Sequence, residues 1–392
     1  MNKLPNGWQI KTLGDIFLIE RGSSPRPIKS FLTNDNNGIN WIKIGDAKNN
    51  SKYIYQSAEK IRPEGKKYSR FVEIGDLILS NSMSFGRPYI MKTIGCIHDG
   101  WVVLRKILKN IIYEEYAYYI LSSNQVHSEF SKLAAGSVVK NLSIDRIKQV
   151  YIPIPPLDEQ KCIASALSKI DAYLENTIKL IEEKERFKRG IAKKLLTCKE
   201  GENIPEARFK GFEDEWEETQ ILEFVNNNII KIEKGKSITK SKIEEGDIPV
   251  IAGGKTPPYY HNKYNYNFPC ITISASGSAG YVWFHDYKIW ASDCYVIYTD
   301  NKRYNIKFLY HYLKNIQDLI YYLQVGGVQK HVYAKDLIKL NIPNITIEEQ
   351  EKIGGYLSLL DAEIDNLKKQ KELIKEMKRG AMQKLLSGEV RL

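Results

Sequence analysis

The chain has 392 residues, and 58 lysine and arginine side chains against 47 aspartate and glutamate give it a formal net charge of +11. Its length allows two or three domains with buried cores. The mean hydropathy is −0.39, and no apolar run approaches the ~18 residues of a membrane span, so none is predicted. The first eight residues contain no apolar segment, so no secretory signal is predicted either. Five scattered cysteines predict a cytoplasmic protein without disulfides or structural zinc, and the basic balance favours nucleic acid as a partner.

The first 150 residues are predicted to be mixed α/β. Runs rich in β-branched and aromatic residues predict strands at 76–79 and 101–104, and residues 116–121 have a helical pattern. Ile152-Pro153 predicts an extended lead-in to a long helix. The apolar residues of that helix recur at steps of three and four, which places them on one stripe. They are Ile163, Leu167, Ile170, Leu174 and Ile178.

The second half of the chain repeats this order. Strands are predicted at 270–273 and 293–298, a helix at 308–313, and a second long helix after Ile342-Pro343. The apolar stripe of this helix consists of Ile353, Leu357, Leu360, Ile364 and Leu367. Thr346 and Glu349 predict a capping box at its start, and Gly388 a stop. Each long helix is predicted to run about 40 residues, or about 60 Å. Its stripe packs either on the other long helix or on its own domain.

The two halves are copies of one unit. Residues 136–196 align with residues 326–386 at a constant offset of 190, and a weaker upstream match has an offset of 194. The matched positions are Glu159-Gln160 with Glu349-Gln350, Asp171 with Asp361, Lys188-Arg189-Gly190 with Lys378-Arg379-Gly380, Ser80-x-Ser82-x-Ser84-x-Gly86 with Ser274-x-Ser276-x-Ser278-x-Gly280, and Asp99 with Asp293. Near the front, outside both offsets, Trp8 can be placed on Trp216. This repeat predicts four segments at residues 1–150, 151–199, 200–342 and 343–392.

Each candidate catalytic motif in the sequence lacks a residue that its chemistry requires. Thr256-Pro257-Pro258-Tyr259 resembles the loop of adenine-N6 methyltransferases, but it lacks the Asn or Asp that holds the target amino group. Gly254-Lys255-Thr256 and Gly235-Lys236-Ser237 end like phosphate-binding loops, but Pro249 and Ile230 stand where the first glycine belongs. The six histidines have no metal-ligand spacing. The sequence therefore predicts a binding protein with no catalytic residues, no metal and no cofactor of its own.

Three kinds of loop are candidates for nucleic-acid contact. The repeated Ser-x-Ser-x-Ser-x-Gly follows a predicted strand in each copy, and its hydroxyl and backbone N–H groups suit phosphates and base edges. Two other loops, at 22–26 with 235–238 and at 136–141 with 326–331, combine glycine with polar and basic residues. The alternatives are solvated turns and a solvated charged face. The candidate DNA-contacting residues are Ser23, Ser24, Arg26, Ser82, Ser84, Arg87, Lys140, Asn141, Lys236, Ser237, Lys255, Ser276, Ser278, Gln329, Lys330 and His331.

This organisation resembles the specificity (S) subunit of type I restriction–modification systems over essentially the whole chain. The resemblance is carried by the Pro-Pro-Leu-Asp-Glu-Gln run at 155–160, by Asp171, by the second copy of this segment, and by Gly-Asp-Leu-Ile-Leu-Ser at 75–80. It implies an α+β fold with two mixed α/β target-recognition domains, two long antiparallel helices forming a coiled coil, and an internal pseudo-twofold repeat. The sequence departs from the family at Asn344-Ile345-Thr346, where the usual Pro-Pro is absent.

The resemblance also implies partners. Two modification subunits would dock on the helices and carry the methyltransferase chemistry, with S-adenosylmethionine bound to them, and restriction subunits would join through the complex. Each domain would read one half of a bipartite, asymmetric double-stranded DNA target, and the helices would set the unread spacing. The other readings are a self-contained adenine-N6 methyltransferase and a coiled-coil interaction protein without a DNA role.

The charge is unequally divided between the copies. Residues 1–200 hold 32 basic and 21 acidic side chains, whereas residues 201–392 hold 26 of each. We therefore expect the first domain to contribute more of the non-specific affinity for DNA. The affinity of the second domain for DNA is expected to depend on individual basic side chains such as Lys236 and Lys330.

Overall fold

A computed structural model describes residues 4–48, 51–81, 86–108, 110–134 and 143–392. The chain divides into two units: unit 1 comprises Met1–Thr177 and Gln370–Leu392, and unit 2 comprises Ile178–Lys369. Each long helix therefore contributes one part to each unit. Within the described ranges, no helix combines the length and the apolar character that a bilayer crossing needs.

Unit 1 is built on two mixed sheets. One has the strand order β2-β11-β8-β9-β5, the other β3-β6-β4-β10-β7, and β1 pairs separately with β12. The strands are β1 (Gln9–Thr12), β2 (Phe17–Arg21), β3 (Leu32–Thr33), β4 (Ile39–Ile42), β5 (Tyr53–Ile54), β6 (Glu59–Ile61), β7 (Arg70–Val72), β8 (Leu77–Ser80), β9 (Pro88–Met91), β10 (Gly95–Ile97), β11 (Trp101–Lys106) and β12 (Tyr151–Ile154). Strands β8 and β11 are interior strands of their sheet, and nearly all of their side chains are buried.

The helices of unit 1 cover one sheet. They are α1 (Leu13–Ile16), α2 (Glu114–Leu121), α3 (Asn124–Ala134), α4 (Ile144–Lys148) and the first part of α5 (Leu157–Leu196). A capping box fixes α1, since Thr12 Oγ1 accepts from the Asp15 N–H and the Asp15 carboxylate accepts from the Thr12 N–H. Short 3₁₀ turns lie at Ile28–Ser30, Ile44–Asp46 and Pro63–Tyr68.

Unit 2 repeats the same plan with shorter connections. Its strands are β13 (Glu217–Gln220), β14 (Ile230–Lys234), β15 (Ile248–Ile251), β16 (Tyr259–His261), β17 (Cys270–Ser274), β18 (Val282–His285), β19 (Trp290–Ala291), β20 (Cys294–Thr299) and β21 (Asn341–Asn344). Its helices are α6 (Ile221–Asn226), α7 (Ile306–Asn315), α8 (Gln317–Tyr322), α9 (Ala334–Leu337) and α10 (Ile347–Ser387), with a 3₁₀ turn at Lys240–Lys242.

The strand pairings confirm the internal repeat. The order β14-β20-β17-β18 corresponds to β2-β11-β8-β9, and the pair β13-β21 corresponds to β1-β12. Each unit also has one parallel pair in its other sheet, β4 with β10 and β15 with β19. The predicted mixed α/β class is confirmed. The predicted strands and short helices coincide with β8, β11, β17, β20, α2 and α7, except that Asp76 and Asp293 precede the strands predicted to contain them.

The entry into each long helix is held by the same contacts. Pro153 in β12 accepts a hydrogen bond on its carbonyl from the Tyr116 hydroxyl at 2.8 Å, and Pro343 in β21 accepts one from Tyr304 at 2.8 Å. The predicted extended lead-in is thus an edge strand in both copies, where a proline costs no ladder bond.

The long helices have the predicted length of 40 and 41 residues. Gly388 follows α10 with φ of +75°, which confirms it as the stop. The Thr346 hydroxyl accepts from the Glu349 N–H at 3.4 Å, as predicted for the cap. The reciprocal half of the capping box is wrong, because the Glu349 carboxylate instead accepts from Arg208 at 2.7 and 2.9 Å.

The apolar stripes pack on both of the partners that the sequence left open. In unit 1, Ile163 and Leu167 share a buried cluster with Tyr116 of the domain and with Leu385 and Leu386 of α10. In unit 2, the stripe residues of α10 share a cluster with residues of the domain and of α5, and its members include Ile353, Leu357, Leu360, Leu195, Leu196 and Phe308. Ile364 is buried, and the half-buried stripe residues are Ile170, Leu174, Ile178 and Leu367.

Ion pairs fix the direction of the helices within each unit. In unit 1, Asp171 of α5 contacts Lys378 of α10 at 2.6 Å, and Glu159 near the start of α5 contacts Arg391, just beyond the end of α10, at 2.8 Å. In unit 2, the equivalent pair is Asp361 with Lys188, and Lys184 contacts Glu363 at 2.7 Å. Moving forward along α5 means moving backward along α10, so the two helices are antiparallel in each unit. Lys188 and Lys378 belong to the repeated Lys-Arg-Gly.

Two buried histidines make unit 2 sensitive to acid. Burial lowers the pKa of His285 and that of His311 to about 3. Since the unfolded chain binds these protons with a pKa near 6.5, this contribution to stability is complete above pH 6.5. It is lost as the pH falls toward 3, by about 1.4 kcal/mol per pH unit for each histidine.

We expect His285→Gln combined with His311→Gln to flatten the loss of unit 2 stability between pH 6.5 and 5. Urea unfolding of the full chain, followed by proteolysis with peptide identification, measures each unit separately. His127→Gln, at an exposed position of unit 1, is the control. An unchanged pH dependence in the double variant would contradict the prediction.

Candidate nucleic-acid interface

The loop after β2 crosses closely over the turn before β11. The Gly22 N–H donates to the Trp101 carbonyl at 2.8 Å. A Cβ at Gly22 would collide with the His98 carbonyl oxygen, so this approach requires glycine. The loop that carries Ser23, Ser24 and Arg26 is therefore pressed onto residues 97–100.

Asp99 is the center of the contacts in this loop. Its Oδ1 accepts from the Ser24 hydroxyl at 3.2 Å, and its Oδ2 lies 3.9 Å from the Arg26 guanidinium. The Gly100 N–H donates to His98 Nδ1 at 3.0 Å, so the hydrogen of this ring lies on Nε2, 2.7 Å from Asp99 Oδ1. One carboxylate thus receives a hydroxyl, an imidazole N–H and a cation.

The same loop also contacts the 3₁₀ turn at Pro63–Tyr68. The Ser23 hydroxyl donates to the Tyr68 carbonyl at 3.1 Å, and the Ser69 hydroxyl donates to the Ser23 carbonyl at 2.7 Å. Lys66 and Lys67 in this turn have their Nζ atoms over aromatic rings, at 3.7 and 4.8 Å from the ring centers. A basic and aromatic surface therefore adjoins the loop.

Unit 2 has the corresponding arrangement after β14. The Gly235 N–H donates to the Cys294 carbonyl at 2.9 Å, and a Cβ there would collide with the Ser292 carbonyl oxygen. Lys236 is held by its backbone, which donates to Ala291 and accepts from Trp290 Nε1, both at 2.9 Å. The side chains of Lys236 and Ser237 are exposed. The loops at 22–26 and 235–238, called the glycine loops from here on, therefore correspond in structure as well as in sequence.

Asp293 takes the place of Asp99. Its Oδ2 accepts from the Ser276 hydroxyl, and its Oδ1 lies 3.2 Å from Lys234 Nζ. Burial raises the pKa of Asp293, but the bonds from Ser276 and Lys234 and the charges of Lys234 and His331 outweigh it, so the pKa is lowered. The carboxylate is thus ionised and engaged on both oxygens.

The loop at 326–331 joins this cluster. Val325 and His331 exchange two backbone hydrogen bonds of 2.8 and 2.9 Å, and Gly326 turns the chain with φ of +112°. The Val332 N–H donates to the Ala275 carbonyl at 3.1 Å. This bond holds the loop at 326–331 beside the loop at 274–280, which carries the second Ser-x-Ser-x-Ser-x-Gly and is called the serine loop of unit 2; that of unit 1 is at 80–86. The side chains that this loop exposes include Gln329 and Lys330.

The two serine loops close in the same way but differ after the glycine. The Gly86 N–H donates to the Ser80 carbonyl and the Gly280 N–H to the Ser274 carbonyl, both at 2.7 Å. Arg87 then lies 5.5 Å from the Tyr89 ring. In unit 2 the aromatic residue is Tyr281 itself, with Lys255 Nζ at 5.6 Å and Lys314 Nζ at 4.3 Å from its ring center.

Comparison with known proteins agrees with this repeated geometry. Residues 5–183 and 213–376 each match the model of the type I restriction modification DNA specificity domain. The chain belongs to this family. Its two copies are therefore two specificity domains, each with a glycine loop, an aspartate and a set of basic side chains.

Relatives of the full length belong to the same family. The chain is 28% identical to a protein of Methanocaldococcus jannaschii that is provisionally named the specificity subunit of the type I restriction enzyme MjaX, and the match covers 100% of this chain and 96% of that protein. The crystal structure of the type I restriction–modification S subunit of Mycoplasma genitalium superimposes with a TM-score of 0.65 at 19% identity, covering 98% and 97% of the two chains. A chain from a study of complex assembly and conformational transition in the type I system gives 0.60 at 17% identity, with 100% of both chains covered. These structures share the fold.

The candidate contact residues fall into three groups in this specificity chain. Ser82, Ser84, Lys140 and Asn141 lie outside the described residues. Hydroxyls already used inside the protein belong to Ser23, Ser24 and Ser276, while Ser278 is half-buried and its N–H donates to Gly253 at 2.6 Å. Exposed side chains belong to Arg26, Lys236, Ser237, Lys255, Gln329 and Lys330, whereas Arg87 and His331 are half-buried. Contact of these residues with DNA stays a prediction.

Two features of the site were not selected from the sequence. The aspartates Asp99 and Asp293 were recognised only as a match in the repeat, although each gathers the loops of its unit. Lys66 and Lys67 were not selected at all, but two lysines beside Tyr68 form the basic and aromatic mixture that is typical of nucleic-acid surfaces.

Proposed function

We propose that this chain recognises a bipartite, asymmetric sequence in double-stranded DNA, with unit 1 reading one half-site and unit 2 the other. The observation that carries the proposal is the repeated cluster of glycine loop, aspartate and basic side chains in two domains of one strand order. Because the residues around the two aspartates differ, the two half-sites are expected to differ in sequence.

The chemistry of the loops suits both parts of such a contact. Exposed basic side chains such as Arg26, Lys236 and Lys330 can neutralise phosphates, which gives affinity without sequence preference. Side-chain amides and hydroxyls can bond base edges in the major groove, which gives the preference. The proposal thus divides affinity and specificity between different side chains of the same loops.

Partner subunits are proposed to carry the chemistry. Two methyltransferase subunits would bind this chain and hold S-adenosylmethionine, and restriction subunits would join through that complex. Exposed apolar side chains on α5 support docking, because they recur at seven-residue steps outside the buried stripe. On α5 they are Tyr173, Leu180 and Phe187.

A domain exchange tests the proposal. The chain is produced with its partner methyltransferase subunits, and methylated adenines are mapped in the DNA that the complex modifies. Residues 1–150 are then replaced by the equivalent segment of a relative with another target. We expect one half-site to change and the other to remain, because each unit has its own loops and core. A change in both halves, or in neither, would contradict the proposal.

A further inference from the structure

One aspartate stands at the same place in both units, just before an interior strand of the sheet. Asp99 precedes β11 and Asp293 precedes β20. Their side chains are 38% and 41% exposed, so both reach the surface formed by the candidate loops. A carboxylate on such a surface repels phosphates and lowers the affinity for any DNA. Its presence in both copies therefore needs a reason other than affinity.

The contacts of the two aspartates supply that reason. In each unit one carboxylate oxygen accepts from a serine hydroxyl while the other faces a cation. For Asp99 these partners are Ser24 and Arg26. For Asp293 they are Ser276 and Lys234. The serines come from different loops in the two units, so the shared feature is the two-sided use of the carboxylate.

We propose that Asp99 and Asp293 are positioning residues for specificity, each holding the loops of its unit in the arrangement that reads bases. The inference rests on the proposed function. Both oxygens of the carboxylate are needed, because one must accept from a hydroxyl while the other neutralises a cation. An asparagine has a single acceptor oxygen and no charge, so it cannot hold both partners. The loop that loses its partner then samples other conformations.

Replacing either aspartate by asparagine has two opposite effects on binding. Asp99→Asn is expected to lower the discrimination between correct and substituted base pairs about tenfold in the half-site of unit 1 only. The same change removes a negative charge from the DNA-facing surface, so the affinity for an unrelated duplex rises several-fold at low salt. Asp293→Asn does the same for the half-site of unit 2.

The experiment uses the complex with its methyltransferase subunits and three duplexes, which are the mapped target, a target substituted in one half-site and an unrelated sequence. Dissociation constants are measured at two salt concentrations. The charge controls are Asp158→Asn and Glu348→Gln, exposed acids at matched positions in the first turns of α5 and α10. These controls are expected to leave discrimination in both half-sites unchanged.

Two serine variants separate positioning from charge. Ser24→Ala and Ser276→Ala keep the carboxylate but remove its hydroxyl partner. We expect them to lower discrimination in their own half-site without raising the affinity for the unrelated duplex. Together with the asparagine variants they form a matched set for each unit.

The outcomes distinguish a failure of the positioning role from a failure of the proposed function. If the unaltered complex shows no sequence discrimination, the proposed function fails. If the unaltered complex discriminates between duplexes, and the Asp99→Asn and Asp293→Asn variants discriminate equally well, only the positioning role is overturned. A loss of affinity for all three duplexes, or a loss in both half-sites from one substitution, also overturns it, because general structural damage would produce that result.

Discussion

Arg208→Ala is expected to lower the free energy of unfolding of unit 2 by about 3–5 kcal/mol. The reason is the position of Glu349, whose side chain is 2% exposed in the first turn of α10. Arg208 reaches it with two hydrogen bonds of 2.7 and 2.9 Å. Without the guanidinium the carboxylate stays buried with an uncompensated charge. The nearby core residue Trp216 offers no help, since its Nε1 has no hydrogen-bond partner among the described residues.

Unit 1 contains the matched control. Glu159 holds the equivalent place in α5 and accepts from Arg391 at 3.0 and 2.8 Å, but the Arg391 side chain is 47% exposed. Trp8 Nε1 also donates to Glu159, at 3.1 Å. Water can replace an exposed arginine, so Arg391→Ala is expected to cost about 1 kcal/mol or less.

Denaturant unfolding with hydrogen exchange resolved by peptide measures both variants in the full chain. The double variant Arg208→Ala, Glu349→Gln is expected to recover part of the loss, because it removes the buried charge. Equal destabilisation by Arg208→Ala and Arg391→Ala would contradict the argument from burial.

Leu357→Ala is expected to cost about 2–5 kcal/mol in unit 2. Leu357 is fully buried in a cluster with Leu196 of α5 and Phe308 of α7. The backbones are close there, since a Cβ at Gly354 would lie 2.6 Å from the Phe308 nitrogen. Such tightly approaching elements cannot collapse into the space that the leucine leaves, so most of the cavity cost remains.

The position two residues further along the helix provides the control. Leu359 is 60% exposed, and Leu359→Ala is expected to change the stability by less than about 0.5 kcal/mol. Leu167→Ala, at the matched position of α5, is expected to destabilise unit 1 by a similar amount to Leu357→Ala in unit 2. The prediction fails if Leu357→Ala and Leu359→Ala have the same urea midpoint.

The sequence predicts the elements whose signal is local or repeated. The spacing of Ile163 and Leu167 predicts a helix face, and the repeat shows that a second helix carries the same face. It also predicts the extended segments before both helices, because Pro153 and Pro343 limit the backbone in the same way. These features depend on neighbouring residues or on direct comparison of two segments.

Contacts between distant segments account for the rest. Ser24 and Asp99 are 75 residues apart, and Arg208 and Glu349 are 141 apart. No local pattern marks such a pair, since each side chain suits a solvated surface equally well. One of the two hydrogen bonds of the predicted capping box, from the Thr346 N–H to the Glu349 carboxylate, was therefore predicted wrongly. A distant arginine binds this carboxylate more strongly than the local N–H does.

At the joint between each domain and its long helix, one glutamine of the helix binds two main-chain groups. Gln160 accepts from the Tyr113 N–H at 2.8 Å and donates to the Pro155 carbonyl at 2.9 Å. Gln350 does the same with Asn305 and Ile345, both at 2.8 Å. The partners of these glutamines are backbone N–H and carbonyl groups, so any residue except proline can supply the N–H. A domain exchanged at these joints can therefore keep this contact, whereas the buried apolar contacts between the domain and the long helix have to be matched.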